Sequence, residues 1–240
     1  MTLLATGNDR KLVPSLRENI MEKVTMLDYD FHLTTPRLYI SYFNPDNDAH
    51  CAFTDAFISS RGVANQIRES GLSLPTERPG RTFIADGVEK MAKTGYGRYL
   101  ISLKPESVVG EVEVEDSEPF SQRTLELVGA VSMQCARYPN APTIPDVGFG
   151  LLPKHFGKGY ATEAAQRLLQ YFEEERGQKV FGGYCKPDNE ASKKVLRKLG
   201  FEERGLRTLN GMLPDGKLFE LSVWTKGVGW EEGALEDFGM

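Results

Sequence analysis

Val147-Gly148-Phe149-Gly150-Leu151-Leu152-Pro153-Lys154-His155-Phe156-Gly157-Lys158-Gly159-Tyr160-Ala161-Thr162-Glu163-Ala164-Ala165 is the stretch that decides how the chain folds. Its first six residues form an apolar run that stops at Pro153, the mark of a strand. Beyond a glycine turn, Ala161, Ala165, Leu168, Leu169 and Phe172 share one face of a helix from about Thr162 to Arg176. Gly157 and Gly159 therefore lie where a strand hands over to a helix. Glycines so spaced let the backbone approach a ligand closely, and the first helical turn presents unpaired N–H groups at its positive end. That combination suits a pyrophosphate, with Lys158 as a movable cation beside it. An ordinary glycine turn reads the same way. Two phosphate fingerprints fail: the Walker sequence needs Ser or Thr where Gly159 stands, and G-x-G-x-x-G meets Pro153 or Thr162 at its third glycine.

Outward from this stretch, strands and helices alternate. Arg37 to Phe43, Tyr99 to Leu103, and Leu125 to Met133 read as strands on the amino-terminal side. Residues 48–70 and 81–94 read as helices, and Leu16, Ile20, Val24 and Leu27 give a further helical period. On the carboxyl-terminal side, Lys179 to Tyr184 is a strand, followed by a helix from Pro187-Asp188-Asn189-Glu190 that buries Ala191, Val195 and Leu199 and stops at Gly200. Two further strands, about 201–209 and 217–226, are joined by the turn Pro214-Asp215-Gly216. The order is mixed α/β, with antiparallel meanders flanking strand-to-helix units. The expected organisation is an extension over 1–33, a domain over 34–228 with an acidic insertion at about 104–124, and an acidic tail over 229–240.

Composition excludes several classes. The 240 residues carry a net charge of −5 with 40% hydrophobic residues, the balance of a folded globular chain rather than a disordered one. Apolar runs fall far short of the roughly 20 residues that cross a bilayer, and Asp9, Arg10 and Lys11 interrupt any signal core, so a cytoplasmic protein without membrane association is expected. Cys51, Cys135 and Cys185 are odd in number and form no C-x-x-C pair, which argues against both a disulfide framework and a metal site. Pro153 to Gly200 holds ten bases and six acids inside this acidic chain. That local excess points to an anion site and is too sparse for a nucleic-acid groove.

A second motif lies some thirty residues past the glycine turn: Asn189-Glu190-Ala191-Ser192, followed by Lys198-Leu199-Gly200-Phe201. Together the two motifs resemble the acyl-coenzyme A site of the GNAT acetyltransferase superfamily, and more closely its Rim-type branch of ribosomal-protein N-terminal acetyltransferases. The superfamily signature is Gln or Arg, two residues, Gly, one residue, then Gly or Ala. Phe156-Gly157-Lys158-Gly159-Tyr160-Ala161 matches it except that Phe156 replaces the polar first residue. The resemblance covers about Thr34 to Lys226. It implies a central mixed, mostly antiparallel sheet with a bulged strand splayed from its neighbour. Phe149, Gly150, Leu151 and Leu152 would then bind the pantetheine arm, and the amides of Phe156, Gly157, Lys158, Gly159, Tyr160, Ala161 and Thr162 the pyrophosphate. Asn189 would hydrogen-bond the pantetheine or its strand contacts.

Acetyl transfer to an amine needs a neutral nucleophile, whereas an alkyl ammonium has a pKa of about 10.4 and an α-amino group one of about 7.7–8.0. A proton acceptor is therefore useful. Asp146 stands where relatives often carry a glutamate, and it is the expected base, reaching through water because it is one methylene shorter. A solvated residue after Pro145 is the bland alternative. The departing thiolate wants a proton donor, but the superfamily's usual tyrosine position is Leu196, so Ser192 is the expected substitute. Ser192 also suits an ordinary helix start. His155 adjoins the turn and can pack or assist, while His32 and His50 lack metal-ligand spacing. The expected activity is acetyl transfer from acetyl-CoA, without metal, to a primary amine of a small molecule or a protein N-terminus, by a monomer or homodimer. The acidic insertion points to a cationic acceptor through steering. A coenzyme-A-binding module without turnover is the alternative, consistent with the missing tyrosine.

Overall fold

Strand after strand in this chain alternates small or polar residues with large apolar ones, so that a single sheet can carry helices on both faces. The structure, a computed structural model, describes residues 27–59, 79–105, 118–213 and 215–240. The strands are β1 (His32–Thr34), β2 (Leu38–Tyr42), β3 (Gly97–Leu103), β4 (Leu127–Gln134), β5 (Asp146–Leu151), β6 (Phe181–Cys185), β7 (Glu202–Leu209) and β8 (Phe219–Lys226). They form one eight-stranded sheet in the order β1-β2-β3-β4-β5-β6-β8-β7. Every pairing is antiparallel except β5 with β6. Four helices accompany it among the described residues: α1 (Asp48–Ser59), α2 (Pro79–Thr94), α3 (Tyr160–Glu175) and α4 (Glu190–Lys198).

The helices divide between the faces. Ala164, Ala165, Leu168, Leu169 and Phe172 of α3 pack in the main core with Ile40, Tyr99, Ile101, Val131, Met133 and Val147. Leu196 and Leu199, at the end of α4, join the same core with Phe181 and Trp224. On the other face, Phe53 of α1 and Ile84 of α2 cover Leu100 and Ala130. A register shift between Ile101 and Ser102 lets Val128 join the main core while Leu127 packs with the smaller one.

Several boundaries move from the sequence reading. Strand β1 hydrogen-bonds β2, so the sheet begins at His32, inside the stretch assigned to an extension. Ala191 is exposed rather than buried; α4 turns Leu196 inward, against Gly183, with Val195 half-buried beside it. The residues after 229 return to the body, where Thr143 donates its N–H to the Phe238 carbonyl at 3.1 Å. The end of the acidic insertion is anchored as well: Phe120 stacks on His32 at 4.0 Å and meets Tyr39 edge-on at 5.2 Å. The helical period of Leu16 to Leu27, the first helix beyond Ser59, most of the acidic insertion, and Pro214 of the last turn fall outside the described residues.

His50 illustrates the energetics of the α1 side. Its Nδ1 accepts the Asn44 N–H at 3.0 Å, a bond that needs the neutral ring, and burial lowers its pKa to about 4. The unfolded chain binds that proton near pH 6.5. Stability from His50 is therefore fully present above pH 6.5 and is lost as pH falls towards 4, on the order of 3 kcal/mol in all. His155, whose pKa burial also lowers, adds loss of the same sign. Urea denaturation at pH 7 and pH 4.5 should show His50→Gln less pH-sensitive than the parent chain; equal sensitivity would remove His50 from this account.

Candidate active site

Two parallel strands that pair at one end and part at the other leave backbone groups without a partner. That is the arrangement of β5 and β6. They share one ladder pair, Asp146 with Gly182, reinforced by the Gly182 N–H donating to the Pro145 carbonyl at 2.8 Å. On its other side β5 stays in register with β4 from Gln134–Asp146 to Gly129–Leu151. The splay implied by the resemblance is thus present, while the expected bulge is not: the β4–β5 ladder runs without a shift. Beyond Asp146, the N–H and C=O groups of β5 that face away from β4 meet no strand. Phe149, Gly150 and Leu151 are half-buried along this opening, whereas Leu152, contrary to the sequence reading, has no backbone group to offer a ligand, because its N–H donates to the Val128 carbonyl and its own carbonyl accepts the His155 N–H, each at 2.9 Å.

The chain leaves β5 through a short 3-10 turn at Pro153–His155 and enters the glycine turn. Phe156 spends its N–H on the Pro153 carbonyl at 3.1 Å, so it is not free to hold a phosphate, contrary to the sequence reading. From Gly157 to Thr162, six consecutive N–H groups have no acceptor among the described residues; the first helical bond of α3 is Glu163 N–H to the Gly159 carbonyl. Gly157 and Gly159 sit at φ +76° and +84°, where a side chain is strained. The turn itself is exposed, with the Phe156 ring 63% accessible. A row of amides at a helix start, carrying the positive end of the dipole, is built to receive an anion.

An unanticipated clamp holds this turn. Glu163, in the first turn of α3, accepts from the Thr35 hydroxyl at 2.7 Å, the Arg37 N–H at 3.1 Å, and the Arg37 Nε and Nη2 at 2.8 and 2.5 Å. Burial pushes the Glu163 pKa up, but these hydrogen bonds and the Arg37 charge outweigh it and hold the carboxyl below its ordinary value. Arg37 also donates Nη1 to the Lys158 carbonyl at 3.0 Å and lies 4.7 Å over the Tyr160 ring. The β1–β2 connection therefore fixes both the turn and the helix start. No spacing in the sequence linked Arg37 to a helix more than a hundred residues away.

Asp146 is 4% exposed and ion-pairs with Arg137, whose Nε is 3.3 Å from its Oδ1. Burial raises its pKa, against the opposing charges of Arg137, Arg98 and Lys90. It is a buried, charged-partner site and not the solvated residue of the bland reading. Tyr184, on β6, is an electrostatic neighbour of Asp146, and burial pushes its phenol well up. Asn189 caps α4, its Oδ1 accepting the Ser192 N–H at 3.0 Å, so its amide NH2 group is the part left for another partner. Leu196, at the superfamily's tyrosine position, is 2% exposed in the core. Asp146 has its charged partners on the α1–α2 side, whereas α4, with Ser192, packs on the opposite face, so the two lie on either side of the β5–β6 opening. His155 is buried, with neither ring nitrogen hydrogen-bonded among the described residues and Nε2 3.5 Å from Glu126. No group of three or more potential metal ligands occurs among the described residues.

A family model for the acetyltransferase (GNAT) domain matches residues 37–202. This chain belongs to the GNAT acetyltransferase family. Among curated relatives it is 28% identical over 102 residues to the uncharacterized N-acetyltransferase YoaA of Bacillus subtilis, a match covering 42% of this chain and 56% of YoaA. The chain thus spans little more than half of that relative. A GNAT-family acetyltransferase structure from Bacillus anthracis superposes with a TM-score of 0.56 at 21% identity, covering 81% of this chain and 97% of the other. RimL, a ribosomal L7/L12 α-N-protein acetyltransferase solved with coenzyme A, gives 0.55 at 16% identity, over 81% and 96%. At such identities these likenesses speak for the fold. If the turn after β5 receives the pyrophosphate, Gly159→Val, which forces a branched side chain to φ +84° with its Cβ 3.4 Å from Arg37, should abolish coenzyme A binding in calorimetry while circular dichroism stays unchanged; unaltered affinity would refute the placement.

Proposed function

We propose that this protein transfers the acetyl group of acetyl-CoA to a primary amine by direct attack on the thioester. The observation that carries the reading is the run of six unpaired amides from Gly157 to Thr162, continuous with the open edge of β5. The first feature suits a pyrophosphate and the second an amide-bearing arm extended along a strand. RimL, with the same fold, is described with coenzyme A bound. The fit within this chain is chemical: Lys158 and the α3 amides for the diphosphate, the open edge of β5 from Phe149 to Leu151 and the Asn189 amide for pantetheine. The Rim-type branch is the finer reading, with a protein N-terminus or a small-molecule amine as acceptor. Free thiols at Cys51, Cys135 and Cys185 favour a reducing, intracellular setting.

The thioester arm occupies the β5–β6 opening, and the amine arrives from the α1–α2 side. The nitrogen attacks the carbonyl carbon, and the oxyanion that forms is held by backbone N–H groups of β5. The carbon–sulfur bond then breaks, and the thiolate takes a proton. Asp146, directly or through water, accepts the proton that the amine must lose. Ser192, whose hydroxyl has no hydrogen-bond partner among the described residues, stands on the far side of the opening as donor to the leaving thiolate.

The pH dependence follows in sign. Because the Asp146 pKa is raised, the carboxylate that accepts a proton forms only above the ordinary carboxylate range. Turnover should fall as pH drops through that raised value. Asp146→Asn should lower kcat/KM by about 10²–10⁴-fold and remove this acidic limb, as expected when a general base is lost. An unchanged pH profile would eliminate Asp146 as the base. A panel of amines with acetyl-CoA, read by release of free thiol, tests the whole reading; coenzyme binding without release from any acceptor would favour the module without turnover.

A further inference from the structure

Three small residues make a floor on the α1–α2 face beside the opening. Gly148, Gly150 and Ser132 alternate onto this side: a Cβ on Gly150 would come within 2.9 Å of the Phe57 ring of α1, and one on Gly148 within 2.7 Å of the Ser132 hydroxyl. Arg98 of β3 pairs with Ser132, which pairs with Gly148. Its Cα is thus two strand spacings, about 10 Å, from β5, and its long side chain can span much of that gap. Arg98 is exposed as a residue, but its guanidinium is enclosed enough that burial lowers its pKa to about 10; the guanidinium makes no hydrogen bond or ion pair among the described residues and lies 4.9 Å over the Phe83 ring of α2. It is also the one charged group lining a shallow apolar hollow whose other walls include Phe43, Phe83, Val88 and Met91.

The charges around it are lopsided. Arg98, Arg137 and Lys90 gather about one acid, Asp146, and that carboxylate is already paired with Arg137. Lys90 donates to the Arg137 carbonyl at 3.3 Å and so stays in the cluster. Three cations facing one engaged carboxylate leave a positive cleft, in which Arg98 alone has an unfilled planar fork of donors. Such a fork matches an oxyanion, which it binds bidentately. The steering towards cationic acceptors expected from the acidic insertion is opposed by the residues that line the cleft itself.

We propose that Arg98 is a specificity-determining residue and that the acceptor is a small amine bearing an oxyanion, carboxylate or phosphate, together with an apolar group for the neighbouring hollow. This deepens the acetyl-transfer reading and rests on it. The anion docks on Arg98, the apolar group enters the hollow between α2 and β3, and the amine is left over Gly148, beside the thioester and Asp146. A protein N-terminus with an uncharged or basic side chain in second position lacks the group that Arg98 awaits.

The test uses matched acceptors with the full chain and acetyl-CoA: L-leucine against L-leucinamide, and O-phosphoethanolamine against ethanolamine, followed by thiol release. The anionic member of at least one pair should show the higher kcat/KM by about tenfold or more, and the pair with the larger gap tells carboxylate from phosphate. Arg98→Ala should raise KM for that acceptor by about tenfold while kcat holds within about twofold, with no effect on the neutral partner, and Arg98→Lys should recover part of the loss. In parallel, inorganic phosphate is titrated by calorimetry into the protein with and without coenzyme A. Millimolar binding that Arg98→Ala weakens about fivefold or more supports the anion site. Preference for neutral or cationic amines, or phosphate binding that is absent or indifferent to Arg98→Ala, overturns it. Failure to bind coenzyme A would sink the acetyl-transfer reading instead, and the phosphate titration of the free protein would still decide the anion site.

Discussion

A buried backbone must pair its N–H and C=O groups, and β5 satisfies that rule on one side only. Pairing with β4 is complete, whereas pairing with β6 ends at Asp146. Much of the active-site arrangement follows from this single opening. Parallel strands joined by a crossover need helix α3 to cover them, and the chain must turn sharply at the end of β5 to enter it. The turn therefore lies at the mouth of the opening, with its helix-start amides beside the free edge of the strand. One ligand with an anionic end and a polar, extended arm satisfies both sets of groups at once.

The clamp on that turn resolves an electrostatic conflict. A carboxylate in the first turn of a helix is favoured by the dipole but repels an anion bound at the same place. Glu163 escapes the conflict because Arg37 neutralises it from the side, with Thr35 and the Arg37 backbone supplying the remaining hydrogen bonds. The Lys158 carbonyl is held by Arg37, while its side chain makes no hydrogen bond or ion pair among the described residues. A positive helix start is thus preserved even though an acid helps to anchor it, and the anchoring strand belongs to the far edge of the same sheet.

What the sequence disclosed, and what it withheld, divides by range. The glycine turn, the α3 period and the helix start near Asn189 are local patterns, and each is present in the fold. Residues whose partners lie far along the chain carried no signal. Arg37 meets Glu163 across 126 residues, and Arg98 faces Asp146 only because β3, β4 and β5 are neighbours. The inward face of α4 was only partly legible: Ala191, Val195 and Leu199 share one helical period, yet of these Leu199 alone is fully buried, and Leu196 turns inward as well, against Gly183. The availability of the Phe156 amide likewise depended on a 3-10 turn that Pro153 begins, a detail of hydrogen bonding rather than of residue type.

The loss of a tyrosine at position 196 bears on catalysis through packing. A phenol there would need room and a polar partner, and Gly183 lies against that position with the apolar Leu196 filling the space, 2% exposed. Leucine turns the site into core and ties α4 to β6. On the proposed reading, a proton for the leaving thiolate would come from the start of α4, from water, or from the phenol of Tyr184, which burial keeps protonated. On the proposed acetyl-transfer reading, a weak donor on that side would leave catalysis to lean on positioning of the amine and on the polarising groups of β5. A cleft with an unfilled guanidinium two strands from β5 is consistent with that balance.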